Sequence, residues 1–165
     1  MEGTKLNFGC SRNIRGGWVN ADIQTHPKIT SFDFNTFPYP FKKDTFDYIL
    51  VERVLVFLDN PYRVLDELHR VGKENAIIKI VEPYYNSSGA FNDFSCKHFI
   101  NERTFKLLVE DRYTLNKEVK FKILTLNLIP TRLGRLIYPK HLRKIASYIF
   151  GEIIKEIQVE LKIIK

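Results

Sequence analysis

The chain has 165 residues, 44% of them hydrophobic and 13% aromatic, and a formal net charge of +7. That composition excludes a disordered chain, the length fits one domain able to bury about two-thirds of its unfolded surface, and no apolar run reaches the ~20 residues of a membrane span. Two cysteines, Cys10 and Cys96, offer neither a metal-ligand spacing nor a disulfide framework, so a reduced cytoplasm is the expected home.

The opening "MEGTKLNFG" has no cationic, apolar and cleavage regions in series and does not read as a signal peptide. Its "KLNFG" is a first strand that breaks at Gly9 into the small-residue turn Cys10-Ser11. "GWVNADI" (17–23) alternates as a second strand, and "ITSFDF" (29–34) is a third. "FPYPF" (37–41) is proline-punctuated loop. "FDYILVERV" (46–54) holds the fourth strand, centred on Tyr48–Val51, an apolar run of the kind buried on both faces. A helix follows, with Asp59 as its cap, Pro61 in its first turn, Tyr62, Leu65, Leu68 and Val71 on one face, and Gly72 as its stop. "AIIKIVEP" (76–83) is a fifth strand, and the unperiodic 84–100 a long loop. Asn101 caps a helix through about Tyr113, 119–130 is a strand, 131–150 a basic amphipathic helix, and 153–165 a final alternating strand.

Charge divides the chain. Residues 1–116 hold 15 Lys+Arg against 15 Asp+Glu, whereas 117–165 hold 11 bases against 4 acids, so the whole excess lies there. Between Glu118 and Glu152 there is no acid. The division predicts a single domain over 1–165, with a cofactor-binding core in 1–116 and a basic strand–helix–strand in 117–165. The basic part either meets a polyanion or is a solvated face.

Strands alternating with helices and loops predict an α/β fold with a mainly parallel sheet. In such sheets ligands bind beyond the carboxyl ends of the strands. Those ends carry Gly9, Cys10 and Ser11, then Asp22, Asp33 and Phe34, Glu52 and Arg53, and Glu82 to Tyr85. Acids at three of them repel a pyrophosphate and attract a cation that also carries hydroxyls. A carboxylate after the second strand can accept two hydrogen bonds from a ribose diol. S-adenosylmethionine, cationic and free of phosphate, fits this pattern, and a turn with a single glycine suffices for it.

The motifs "LNFGCSRNIRGGWVNADI", "DFNTFPYPFKKDTFDYILVERVLVFLDNP" and "YRVLDELHRVGKEN" resemble, in order and spacing over about residues 5–100, the class I S-adenosylmethionine-dependent methyltransferases of the small type 11-like branch. The resemblance implies a Rossmann-like three-layer sandwich with a mainly parallel seven-stranded sheet and an antiparallel edge strand. It implies that Gly9, Cys10 and Ser11 wrap the methionine moiety of the cofactor and that Asp22 holds the ribose with Ile23 against the adenine. Asp33 would bond the adenine amino group with Phe34 beside the ring, and Glu52 and Arg53 would sit at the methionine end. The substrate side departs from the pattern: Arg53 and Val56-Phe57 replace its histidine, glutamate and histidine, "KEN" (73–75) replaces its Pro-Gly-Gly turn, and Cys96 stands in place of a histidine. "CSRNIRGG" is too short for a full first helix, which predicts a thinly covered sheet face.

Each residue also has a plainer role. Asp22 and Asp33 can shape turns, Glu52 can pair with a neighbouring base, and Cys10 reads as packing rather than as a nucleophile. Tyr84, Tyr85, Lys97 and His98 are the substrate candidates; the tyrosines can also close the core, and His98 is either a general base or an ordinary loop histidine. The activity implied is methyl transfer without metal, to RNA first, with a lipid-linked, glycan or small-molecule acceptor as alternatives. The partner expected at 119–151 is RNA or an anionic membrane surface. A homodimer, or a catalytically silent partner subunit of the same fold, is the reading from another class.

Overall fold

The structure is a computed structural model that describes residues 3–110 and 119–165. Its strands are β1 (Lys5–Phe8), β2 (Val19–Asp22), β3 (Thr30–Ser31), β4 (Phe46–Glu52), β5 (Gly72–Pro83), β6 (Lys120–Pro130) and β7 (Ile154–Ile164). They form one seven-stranded sheet in the order β3-β2-β1-β4-β5-β7-β6. β1 to β5 run parallel, and β7 lies antiparallel between β5 and β6. The reversed strand is thus one place in from the edge, and β6 forms the edge itself.

Helix α1 (Pro61–Val71) begins at Asn60, whose side chain accepts a bond from the Arg63 N–H at 3.1 Å, so the cap lies one residue beyond Asp59. Val64, Leu65, Leu68 and Val71 form its buried stripe. Gly72 does not end the helix in a left-handed turn. Its backbone is extended (φ −77°), and β5 starts at once. A Cβ there would collide with Ile163 Cδ1, which accounts for the glycine.

Helix α2 (Glu102–Val109) opens on a reciprocal box, Asn101 Oδ1 accepting from Thr104 N and Thr104 Oγ1 from Asn101 N. The expected extension to Tyr113 lies outside the described residues beyond Glu110. The segment 131–150 is two helices rather than one, α3 (Arg132–Leu136) and α4 (Lys140–Ile149). Pro139, with no N–H to donate, divides them.

The faces of the sheet differ. On one, Leu6, Phe8, Ile49, Val51, Ile78, Ile80, Ile157, Val159 and Leu161 are fully buried beneath α1, α2 and an aromatic loop. In that loop Phe34 stacks on Phe8 at 3.9 Å, and Arg70 of α1 donates to the carbonyls of Tyr39 and Phe41. On the other face, among the described residues, no helix stands over β1 and β2, because residues 9–18 form only turns. A groove of ≈ 570 Å³ there is lined by Lys5, Arg15, Tyr48, Lys79, Glu156 and Gln158 among others. The third layer is reduced to the 9–18 turn, as its length predicts. Asn7 and Asn20 hold that turn down: Asn7 Nδ2 donates to Asn20 Oδ1 and to the Asn13 carbonyl, and Asn20 bonds the backbone of Arg15 and Trp18. The expectation that β4 is buried on both faces is corrected here, since Tyr48 is only half-buried and packs edge-on against Trp18 at 5.7 Å.

Candidate functional site

The carboxyl ends of β1, β2 and β4 converge on a cleft of ≈ 320 Å³. Gly9, Ser11, Asp22, Ile23, Asp33, Phe34 and Arg53 all line it, together with Asn35, Val54, Phe57 and Leu58. Strand pairing brings the first two ends together: the N–H groups of Gly9 and Cys10 both donate to the Ala21 carbonyl. Gly9 has φ +77°, and a Cβ on it would strike Val54 Cγ2. Glycine is therefore required twice over, by backbone conformation and by the closeness of the β4 end.

Asp22 is buried at the floor. Its Oδ2 accepts from Ser11 N at 2.7 Å and its Oδ1 from Gln24 N at 3.1 Å. The first of these bonds holds Ser11 in the left-handed region, φ +46°. Each oxygen keeps a further lone pair, so the carboxylate both shapes the turn and can accept a diol. Asp33 makes an Asx turn to Asn35 N at 2.8 Å while facing the same cleft. Ile23 is 65% exposed, an uncovered apolar surface at the rim.

Two residues expected here lie elsewhere. Cys10 is packed beneath the turn, and burial together with the nearby Asp22 charge pushes its thiol pKa up, which suits packing and not nucleophilic attack. Glu52 has the strand parity of Tyr48 and Leu50 and so projects onto the open face, 3.9 Å from Arg15. Arg53, just past the strand, takes a left-handed backbone (φ +54°) and turns into the cleft. Its guanidinium reaches Glu156 of β7 at 3.5 Å, a carboxylate that also meets Lys155 and lines the open-face groove, so the arginine's charge is paired outside the cleft.

Of the substrate candidates, Tyr84 is corrected to a core residue. It is fully buried and its hydroxyl donates to Glu102 at 2.8 Å. Tyr85 remains half-exposed, edge-on to Tyr84. Lys97 pairs with Asp59, and His98 Nε2 bonds the Leu58 carbonyl at 2.8 Å. Both line a second, more apolar cavity of ≈ 390 Å³ between α1 and α2, bounded by Leu55, Leu65, Phe105 and Leu108.

Glu82 carries a structural task that its strand-end position alone does not reveal. Fully buried, it accepts the N–H groups of Val54 and Leu55 on one oxygen at 3.0 and 2.8 Å, and so anchors the β4 end that walls the cleft. Its second oxygen has no partner among the described residues. Burial pushes the carboxyl up to about 8, against the lowering effect of those N–H groups. The signal in the sequence is parity: Glu82 shares a face with Ile78 and Ile80.

The donor set tests the ligand. Residues 9–18 supply no helix after β1, hence no helix N-terminus of the kind that holds a pyrophosphate. The cleft offers two carboxylates, apolar walls and an already paired arginine. These fit a phosphate-free cation bearing a diol. No group of metal-ligating side chains occurs among the described residues.

Residues 16–80 match the family model of a methyltransferase domain. In three dimensions the chain is similar to the YcgJ protein of Bacillus subtilis (10% identity, 99% of this chain and 92% of that one, TM-score 0.66). It is similar to a SAM-dependent methyltransferase of Archaeoglobus fulgidus as well (15% identity, 96% and 85%, TM-score 0.61). A third similar structure is SpnF, named a [4+2]-cyclase (13% identity, 97% and 74%, TM-score 0.63). No curated protein matches in sequence.

Proposed function

We infer that the chain is a class I S-adenosylmethionine-dependent methyltransferase, that the cleft between the β1, β2 and β4 ends holds the cofactor and that the chain transfers its methyl group to an acceptor entering beside Tyr85 and His98. The methyltransferase-domain match and the shared fold support this reading. The observation that carries the reading is the convergence of Gly9, Ser11, Asp22 and Asp33 on one acid-bearing cleft with no helix after β1. Asp22 would accept the ribose hydroxyls through its remaining lone pairs, and Ile23 would cover the adenine. Asp33 would meet the exocyclic amine, and the backbone of Gly9 and Ser11 would border the methionine end.

When bound, the sulfonium supplies an already activated methyl group. The task left to the chain is to exclude water and hold a nucleophile in line. Where the acceptor must first lose a proton, His98, on the neighbouring cavity, would take it. Its Nε2 is spent on the Leu58 carbonyl, so Nδ1 is the nitrogen that accepts.

Calorimetry tests the site. S-adenosylmethionine should bind and NAD should bind far more weakly; tight NAD binding with no S-adenosylmethionine binding overturns the reading. Asp22→Ala should cost roughly 2–4 kcal/mol of cofactor affinity, from charge-assisted bonds lost and hydroxyls left unpaired, and Asp22→Asn less. The bond to Ser11 N means that Asp22→Ala should also lower the melting temperature, a loss that Asp22→Asn, which keeps an acceptor oxygen, should reduce. An unchanged affinity in Asp22→Ala removes the residue from the site.

A further inference from the structure

α4 packs inside out. Ser147 is fully buried, and the Asn86 side chain donates to its carbonyl. At 100° per residue, Leu142, Ile145 and Ile149 fall on the side opposite Ser147, and all three are exposed, Ile149 to 72%. Tyr148 flanks that stripe, Phe150 follows it, and on α3 Leu133 and Leu136 are exposed as well, Leu136 to 81%. The residues turned toward the domain are small or polar, Ala146 and Ser147 among them. Arg143 donates to the carbonyls of Ile137 and Arg135, and Lys144 pairs with Glu102 at 2.9 Å. A helix that packed for stability alone would bury its apolar stripe. Here the fold spends small and cationic residues on its own contacts and leaves the aliphatic ones outside.

The same segment has no acid between Glu118 and Glu152, and Arg132 and Arg135 stand exposed among the leucines. We propose that α3 and α4 form a docking surface for an anionic lipid bilayer, lying in its interface with Leu136, Leu142, Ile145 and Ile149 among the acyl chains and Arg132 and Arg135 at the headgroups. Charge and apolarity together select this occupant. A nucleic acid would draw on exposed cations, yet Arg143 and Lys144 are engaged within the fold, and the stripe facing away from Ser147 is aliphatic, with the rings of Tyr138, Tyr148 and Phe150 only at its margins. A second copy of the chain would bring its own acid-free, basic face against this one. α4 is tied at Asn86 and, through Lys144, Glu102 and Tyr84, at the carboxyl end of β5, which sets the bilayer beside the acceptor side of the domain. The docking stands independently of the methyl acceptor's identity.

Flotation of the full chain with vesicles tests it. Vesicles of equimolar phosphatidylcholine and phosphatidylglycerol should carry the protein, and phosphatidylcholine alone should carry much less. Arg132→Gln with Arg135→Gln should weaken the binding about thirtyfold, by the usual worth of two cations at an anionic surface. Ile145→Asp with Ile149→Asp should abolish it. Thermal unfolding should be unchanged in both variants, because all four side chains are exposed. Polyuridylate binding without vesicle binding overturns the proposal in favour of nucleic acid. Sedimentation showing a dimer that the Ile145→Asp, Ile149→Asp variant dissolves, again without vesicle binding, overturns it in favour of self-association. Absence of all three overturns it in favour of a solvated face.

Discussion

Along the same strands, one residue apart, this sheet meets two different environments. Leu6, Phe8, Ile49, Ile78 and Ile80 are wholly shielded by helices and aromatic rings, while Lys5, Tyr48 and Lys79 reach a groove open to solvent. Parallel sheets ordinarily carry helices on both faces. The connection from β1 to β2 is too short here to supply one, and the exposed face is correspondingly mixed: lysines, glutamates and a tyrosine, with Leu50 and Val81 buried among them. The comparison teaches where stability and function are divided. The covered face holds the fold together, and the strand ends between the faces carry the cleft.

The sharpest way to break that comparison is to empty a covered position. Phe8 is fully buried, stacked on Phe34 and 5.5 Å from Tyr39. Phe8→Ala should cost about 3–5 kcal/mol in denaturant unfolding. Because Phe34 also lines the cleft, cofactor affinity should fall with it. A loss within the range of surface substitutions would mean that the aromatic loop, and not the sheet, carries the core.

An effect of comparable size, spread over a range of pH, is expected from Glu82, on the covered face but at its functional end. Its carboxyl lies at about 8 in the fold against an ordinary value of 4.5. The folded state therefore holds the proton more tightly than the unfolded one, and the stability contributed by the protonated group is complete below pH 4.5 and lost as pH rises to about 8. Over that window Glu82 should lower unfolding free energy by up to about 1.4 kcal/mol per pH unit. Glu82→Gln keeps an acceptor for Val54 and Leu55 and removes the titration, so its stability should stay flatter and exceed that of the parent chain at alkaline pH. Parallel pH profiles for the two proteins would show that the charge is accommodated without cost.

These residues also mark what the sequence could say. Glycine at the end of β1 and acids after β2 and β3 have their meaning from chemistry alone, and the structure gathers them in one cleft. Strand periodicity placed most of the sheet's elements, since 5–8, 46–52 and 76–83 alternate or run apolar. However, β5 already begins at Gly72, in the polar 72–75 read as a turn, and β3 keeps only Thr30–Ser31 of 29–34. What was missed follows from parity and from contacts distant in sequence. Glu52 and Arg53 look equivalent as neighbours, yet the alternation of side chains puts Glu52 on the open face, and only the left-handed backbone of Arg53 turns it to the cleft. Tyr84 is buried because Glu102, 18 residues on, offers its hydroxyl an acceptor. The fold lowers the Glu102 carboxyl despite burial, through its own backbone N–H, Lys144 and that hydroxyl. The division of 131–150 at Pro139 was missed by the reading of one helix, although the signal stood in the sequence, because proline cannot continue a helix from within.

The smallest effect is expected on the open face, and it decides whether that face is a surface in solution. Lys79 sits at the centre of β5 with Ile78 and Ile80 fully buried on either side of it, yet its own side chain lines the solvent groove. Its contribution is the packing of an aliphatic stem beside Tyr48 and Leu50, and a substitution at such a site falls within about 0.5 kcal/mol. Lys79→Ala should therefore leave the denaturation midpoint almost unchanged, whereas Ile80→Ala, the next residue, should cost about 2–5 kcal/mol. Protein concentration supplies the second reading. If the groove is open in solution, the melting temperature of the parent chain should not depend on concentration. If a second subunit covers the groove, the melting temperature should rise with concentration, and Lys79→Ala should then reduce that rise. A large loss in Lys79→Ala at every concentration would mean instead that the two faces are equal partners in the core, and the contrast between them would fail.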